Sequence, residues 1–367
     1  MQVLVVNAGS STLKLTLLDP DDRVLGAREL PSAGDGVSAA APREALADGL
    51  GDADAVGHRI VHGGERFREA VAIDAAVEAA LLDLTQLAPL HQPKSLAALE
   101  AVSAALPDVR AVACFDTAFH ATLPARTHTY ALPAAWRQRW RLRRYGFHGL
   151  SHAWVARRAP QLLDPAAPAS RIVSCHLGAG ASLCAIAGGR SIDTTMGFTP
   201  LEGLVMATRS GSVDPGMLLW LLERGELSER QAATTLEHRS GLLGLAGSAD
   251  MRVIVDRAEA GDEEAELALD VYVHRLRAGI AAMSASLGGL DVLAFTGGVG
   301  ENAAKVRALA VAGLGFLGVA IDERRNGALD GDGEITAAGA HGHTLVIRAR
   351  EDLEIARQVR RALADGR

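Results

Sequence analysis

The sequence predicts an α/β fold. Short β-rich runs alternate with longer helical patterns along the whole chain. A strand–turn–strand unit also occurs twice, as VLVVNAGSSTLKLTLLD from Val3 and as IVSCHLGAGASLCAIAGG from Ile172. Each copy has an apolar strand, a polar residue (Asn7, His176), a Gly-rich turn and a second strand. Each then leads through a turn to a third β-like stretch. The match is loose, so it fits both a duplicated architecture and chance in a chain rich in Gly and Ala.

The strand-like runs are 3–7, 13–18, 110–115, 172–175, 182–187, 292–295 and 344–347, each rich in branched or aromatic residues. Helical patterns fall near 75–87, 94–105, 214–224, 228–237, 262–287, 301–314 and 351–363. The segment 33–54 reads as a weakly specified connection with one short helix around Pro42–Asp48. The apolar stretch Ala278–Leu290 is too short to span a bilayer and reads as a buried helix running into a strand.

Bulk properties narrow the function. The 367 residues suffice for two or three domains, and 49% are hydrophobic. A formal net charge of −7 gives no electrostatic reason to expect nucleic acid or an acidic membrane. Cys114, Cys175 and Cys184 are an odd count with no C-x-x-C spacing, which argues for buried free thiols over disulfides or zinc. With no basic n-region before an apolar h-region, a cytoplasmic protein is expected. Lys14, Lys94 and Lys305 are the only lysines, so a lysine beside a Gly–Ser turn is informative.

The Asn7–Lys14 turn offers hydroxyls, backbone N–H groups and a compact cation to a phosphate. It is not a P-loop, because a strand follows where a helix should; a plain hairpin is the alternative. In GHRIVHGGERF, Arg59 on a strand shares a face with Val61. An arginine on an apolar surface needs an anion, either a ligand or a core carboxylate. In CFDTAFH, Asp116 ends a strand, as a reactive group or a turn cap. In RRYGFHGLSH, His148 and His152 have H-x-x-x-H spacing, but the intervening Gly-Leu-Ser does not look helical and no third ligand is near. The bland alternatives are a half-buried His148 bonded to backbone and a surface His152 at a helix end. HLGAGAS and FTGGVGEN are further Gly-rich turns after strands, the second opening a helix near Glu301. The long stretch Met196–Pro215 holds Pro200, Glu202 and Arg209, a second candidate anion clamp. With no G-x-S-x-G elbow and no metal-ligand cluster, the inventory suits phosphoryl transfer, where positioning and charge neutralisation do most of the work.

Taken in order, NAGSSTLK, GHRIVHGGE, LAPLH, FDTAFH, YGFHGLSH, CHLGAGAS, MGFTPLEGL, TRSGSVDP and FTGGVGEN resemble the acetate kinase family across almost the whole chain. The resemblance implies two duplicated ribonuclease H-like (actin-like ATPase) domains with an interdomain nucleotide cleft. It places an N-terminal domain at 1–120 plus 353–367 and a C-terminal, nucleotide-binding and dimerising domain at 121–352. It implies direct in-line transfer of the ATP γ-phosphoryl group to acetate with Mg²⁺, Mn²⁺ being an alternative, in a homodimer.

By motif, Arg59, Asp116, His148 and Arg209 would be catalytic. Ser10, Thr12, Lys14, His176, Gly178, Gly180, Asp250, Met251, Arg252, Gly297, Gly298, Val299, Gly300 and Asn302 would bind the nucleotide. Arg59, Val61, Leu90, His91, Phe147 and Pro200 would bind acetate, and Asn7 and Glu351 the metal.

The chain departs from the family at Ala179 and Ala181 in HLGAGAS, where the fourth position is usually Asn, at Arg350, and in a shortened region around 28–53. A propionate or butyrate kinase is the neighbouring alternative, because one methylene is worth only about 1–3 kcal/mol of selectivity. A non-catalytic nucleotide switch would not need Arg59, His148 and Arg209 around a small apolar pocket.

Overall fold

The computed structural model describes residues 1–9, 12–31, 46–87 and 92–366. The chain forms two compact units: Met1–Ala121 with Phe147–Trp154 and Arg350–Arg367, and Thr122–Gly146 with Val155–Ala349.

In the first unit, strands β1 (Val3–Ala8), β2 (Thr12–Leu18), β3 (Val24–Pro31), β4 (Ala55–Ile60), β5 (Val71–Ala72) and β6 (Arg110–Phe115) form one sheet in the order β3-β2-β1-β4-β6-β5. β1, β4 and β6 are parallel neighbours, while β2, β3 and β5 run antiparallel to theirs. Alternation along β1 sends Leu4 and Val6 to one face and Val3 and Val5 to the other. Leu4 and Val6 pack with Leu13, Leu15, Val56, Ala98 and Val102, under the helix Gln92–Ala105. Val3 and Val5 pack with Val112, Cys114, Ile355, Ala356 and Val359, under the helix Glu351–Ala364. Both faces are covered, which is why β1 reads as a continuous apolar run. Each such fully buried Val or Leu side chain stabilises the fold by about 1.5–3 kcal/mol.

The second unit repeats the plan with β7 (Arg171–Leu177), β8 (Ala181–Ala187), β9 (Arg190–Thr194), β10 (Val292–Thr296), β11 (Gly333–Glu334) and β12 (His343–Val346), ordered β11-β12-β10-β7-β8-β9. Read from the other edge, this is the first sheet's order. The β7–β10 and β10–β12 pairs are parallel, and β7–β8, β8–β9 and β11–β12 antiparallel, as in the first sheet. The loose sequence echo is therefore a duplicated α/β fold. The 25-residue helix Glu263–Leu287 contributes Leu269, Tyr272, Val273, Leu276 and Ile280 to the buried interior of this unit.

Several local expectations change. The segment after His148 is helical: Gly149–Arg158 is a helix, and His152 is fully buried rather than at the surface. His148 has φ 55°, so the helix starts abruptly after it and the glycine conceals the start from periodicity. The same segment packs in the first unit, although the expected boundaries grouped it with the second domain. The Gly149 N–H bonds the Asp116 carbonyl, and Leu150 joins the Val3 cluster. The helix expected near Glu301 begins at Gly297 and breaks at Ala303, giving Gly297–Asn302 and Ala304–Ala312. The helix from Ala75 ends at Asp83 and tightens into a 3₁₀ turn, Leu84–Leu87. β4 ends at Ile60, so Val61 lies past the strand that carries Arg59. Most of the short helix expected at Pro42–Asp48 lies outside the described residues, next to one π-helical turn at Leu46–Leu50.

Among the described residues no helix is long and apolar enough to cross a membrane. The three cysteines are free and buried; burial pushes the Cys184 thiol up to about 12.

Candidate active site

In the first unit, parallel register brings distant residues to one sheet edge. Val6 pairs with His58 and Arg59 with Cys114, so Asn7, Arg59 and Asp116 stand at the carboxyl ends of β1, β4 and β6. That edge is where open α/β sheets place ligands. The Arg59 Nε–H donates to both Asp116 oxygens at 3.1 Å, and Nη2 donates to Oδ2 at 2.7 Å. Nη1 donates to Asn7 Oδ1 at 3.1 Å, and Asn7 Nδ2 donates to Glu351 Oε2 at 3.0 Å. Glu351, Asn7, Arg59 and Asp116 thus form one continuous polar chain.

Burial opposes the charge on Arg59, but Asp116 and Glu351 outweigh it and hold the guanidinium above its ordinary range. Burial pushes the Asp116 carboxyl up and Glu351 adds to this, while Arg59 pulls the other way. The arginine therefore has its core carboxylate, and that carboxylate is itself a candidate residue. An arginine has five N–H groups. The bonds above engage Nε–H and one on each terminal nitrogen, which leaves one on Nη1 and one on Nη2 for an anion.

His148 is fixed beside this chain through its backbone. A Cβ at Gly149 would overlap the Asp116 carbonyl oxygen, so only glycine allows the approach. Phe147 is buried, stands edge-on to His62 with centroids 5.6 Å apart, and its carbonyl lies 3.0 Å from His120 Nε2. Val61 is half-buried, as is Thr12 at the start of β2. Lys14 faces solvent and sits 3.7 Å from Glu29 on β3, an exposed pair between adjacent strands. Ser10, Leu90 and His91 lie outside the described residues.

The donors around Glu351 fit a hard divalent cation. They are oxygen donors, a carboxylate and an amide, and Mg²⁺ takes few protein ligands beside waters and phosphates. No group of three or more His, Cys, Asp or Glu suited to a metal occurs among the described residues.

In the second unit, Gly178, Asp250, Met251, Arg252, Gly298, Val299 and Asn302 line one cavity of about 540 Å³. Gly180, Gly297, Gly300 and His176 are not among its lining. Gly297 has φ +79°, and a Cβ there would press on the Leu177 backbone, so the turn after β10 needs glycine. The rest of the wall is Ala179, the departure from the family pattern, with Ala207, Leu242, Ala249, Tyr272 and Ala303, which carry no chemical signal in sequence. Asp250 caps the helix Met251–Glu259 and pairs with Arg252 at 2.6 Å, and the Arg252 hydrogen bonds hold its carboxyl at about 2. Burial lowers the Arg209 pKa, opposed by Glu237. Arg209 Nη1 donates to the half-buried Pro200's carbonyl at 3.3 Å.

Comparison with known proteins agrees with this geometry. The model of the acetokinase family matches residues 37–357. A Gloeobacter violaceus acetate kinase is 52% identical over 305 residues, covering 83% of this chain and 75% of that protein. The crystal structure of Porphyromonas gingivalis acetate kinase superposes with a TM-score of 0.89 at 36% identity, covering 99% of both chains. A propionate kinase from Francisella tularensis superposes with a TM-score of 0.90 at 33% identity, over 98% of this chain and 99% of that one. The chain belongs to the acetokinase family.

Proposed function

We propose that this enzyme, a kinase with a carboxylate acceptor, moves the γ-phosphoryl group of ATP to acetate by direct in-line transfer, giving acetyl phosphate and ADP. The observation that carries this reading is the chain Glu351–Asn7–Arg59–Asp116 at the ends of three parallel strands. Acetate is an anion near neutral pH, so the task is to bring two anions together rather than to remove a proton. At an effective dielectric of 20, two unit charges 4 Å apart repel by about 4 kcal/mol.

Arg59 answers this with its two remaining N–H groups, while Asp116 fixes the guanidinium plane. Asn7 and Glu351 would hold Mg²⁺, which when bound neutralises phosphate charge; Mn²⁺ suits the same donors. His148 donates to the transferring oxygens, and Arg209 supplies a second guanidinium. Thr12, Lys14, Ser10, His176 and Gly180 serve the phosphates. The second unit's cavity, with Asp250–Arg252 and the Gly297–Gly300 turn, takes the adenosine. By the family motifs, Val61, Leu90, His91, Phe147 and Pro200 would bind the acetate. We further propose a cytoplasmic homodimer that binds neither nucleic acid nor membrane.

The test is acyl phosphate trapping with hydroxylamine after incubation with ATP, Mg²⁺ and acetate, propionate or butyrate. Acetate should give the highest kcat/KM, with propionate poorer but detectable. The superposition on a propionate kinase keeps that acid as the second reading, and a higher kcat/KM for propionate would select it.

A further inference from the structure

We propose that Glu301 is a positioning residue that ties the nucleotide turn to the start of the helix carrying Glu351. The proposal rests on the reading above, that the second unit's cavity receives the nucleoside. One oxygen, Glu301 Oε1, accepts two backbone N–H groups, from Gly297 at 3.0 Å and from Ala349 at 2.9 Å. Gly297 opens the turn whose next residues, Gly298 and Val299, line the cavity. Ala349 is the last residue of the second unit, and Glu351 lies two residues further along the chain.

The backbone of Glu301 is itself held. The buried Arg307 donates through Nη1 to the carbonyls of Gly300, at 2.9 Å, and Glu301, at 2.7 Å. The carboxylate is thus a short brace between two segments far apart in sequence. Its two bonds are charge-assisted, the stronger class. Displacement of the turn by a nucleoside is transmitted to Ala349 and along the chain to Glu351, and the coupling is reciprocal.

Hydrogen–deuterium exchange of the full chain, metal-free and with saturating ADP, tests this. In the unsubstituted protein ADP should slow exchange at 297–302 and also, by about tenfold, at 349–354, outside the cavity. Glu301→Ala should keep the first effect and lose the second. Glu301→Gln, whose amide oxygen accepts the same bonds, should restore it. If Glu301→Ala does not fold, Glu301→Asp, too short to reach both N–H groups, takes its place with the same expectation. Slowing at 349–354 that survives these variants, or that never occurs while 297–302 responds, overturns the proposal. No slowing at either segment counts instead against the nucleoside reading of the cavity. A residue needed only for folding would lower Tm in every state without separating the two segments.

Discussion

The two sheets share one plan and differ at one edge. Counting from the paired residues Val3, Ala55 and Arg110 in the first and Ile172, Val292 and His343 in the second, equivalent strand ends carry different groups. Asn7, Arg59 and Asp116 occupy three ends in the first sheet. His176, Thr296 and Ala349 occupy the same places in the second. One copy concentrates charge, and its arginine is locked by a buried carboxylate. The other has neither arginine nor carboxylate at those places and borders a cavity in which six of thirteen lining residues are Gly or Ala. The difference teaches that one scaffold can divide the work: on the proposed reading, buried charge serves the transfer and open space receives the nucleoside. Substitutions should therefore act differently in the two copies.

The largest effect is expected for Arg59→Ala, which lowers kcat by about 10²–10³-fold. It also leaves Asp116 buried without its partner, at a cost of about 3–5 kcal/mol in stability. The sequence alone predicts lost turnover with the fold intact; the Asp116 pairing adds the second effect. Steady-state kinetics with thermal melts measures both, and an unchanged melt would show that the pair is not a structural unit. Next comes Gly149→Ala, whose methyl collides with the Asp116 carbonyl oxygen. Overpacking of this kind costs about 1–3 kcal/mol, and kcat should fall because His148 is displaced. A variant that keeps kcat while losing stability would detach His148 from the chemistry.

Acid sharpens the comparison from the side of stability. Burial lowers His58 to about 3 and His62 to about 4, both in the charged copy. A histidine with depressed folded pKa stays neutral when folded while the unfolded chain takes up a proton near 6.5. Stability is therefore full above pH 6.5 and falls as pH drops toward 4, by about 1 kcal/mol per unit for each residue. Chemical denaturation at pH 7.5 and 5.5 should show the loss, and His58→Leu should roughly halve its pH dependence. A flat profile between those values would contradict the assignment. The smallest effect belongs to the other copy. The Arg252 side chain is 85% exposed, so Arg252→Ala should leave the thermal melt essentially unchanged. Its expected signature is a higher KM for ATP at unchanged kcat, and a fall in kcat with KM constant would argue against a gripping role.

The duplicated hairpins were readable because each alternates apolar residues around a Gly-rich turn, a signal carried by local sequence. Asp116 was readable as a strand-end carboxylate, but its pairing with Arg59 was not, because parallel register sets that contact across 57 positions. A helix following the Gly–Ser turn was readable, but its start at Gly149 was not, because that first residue is a glycine and His148 before it has positive φ. Apart from Ala179, the alanines of the cavity wall give no signal in the sequence for a simpler reason: what they contribute is the space they leave.

Glu351 arrives with the final helix, which also seals the Val3–Val5 face of the first sheet. Removing 350–367 would take away Glu351 and bare Val3, Val5 and the residues packed with them, an apolar surface of the kind that makes partly folded chains aggregate. A single helix therefore both closes the sheet against misassembly and supplies one end of the polar chain.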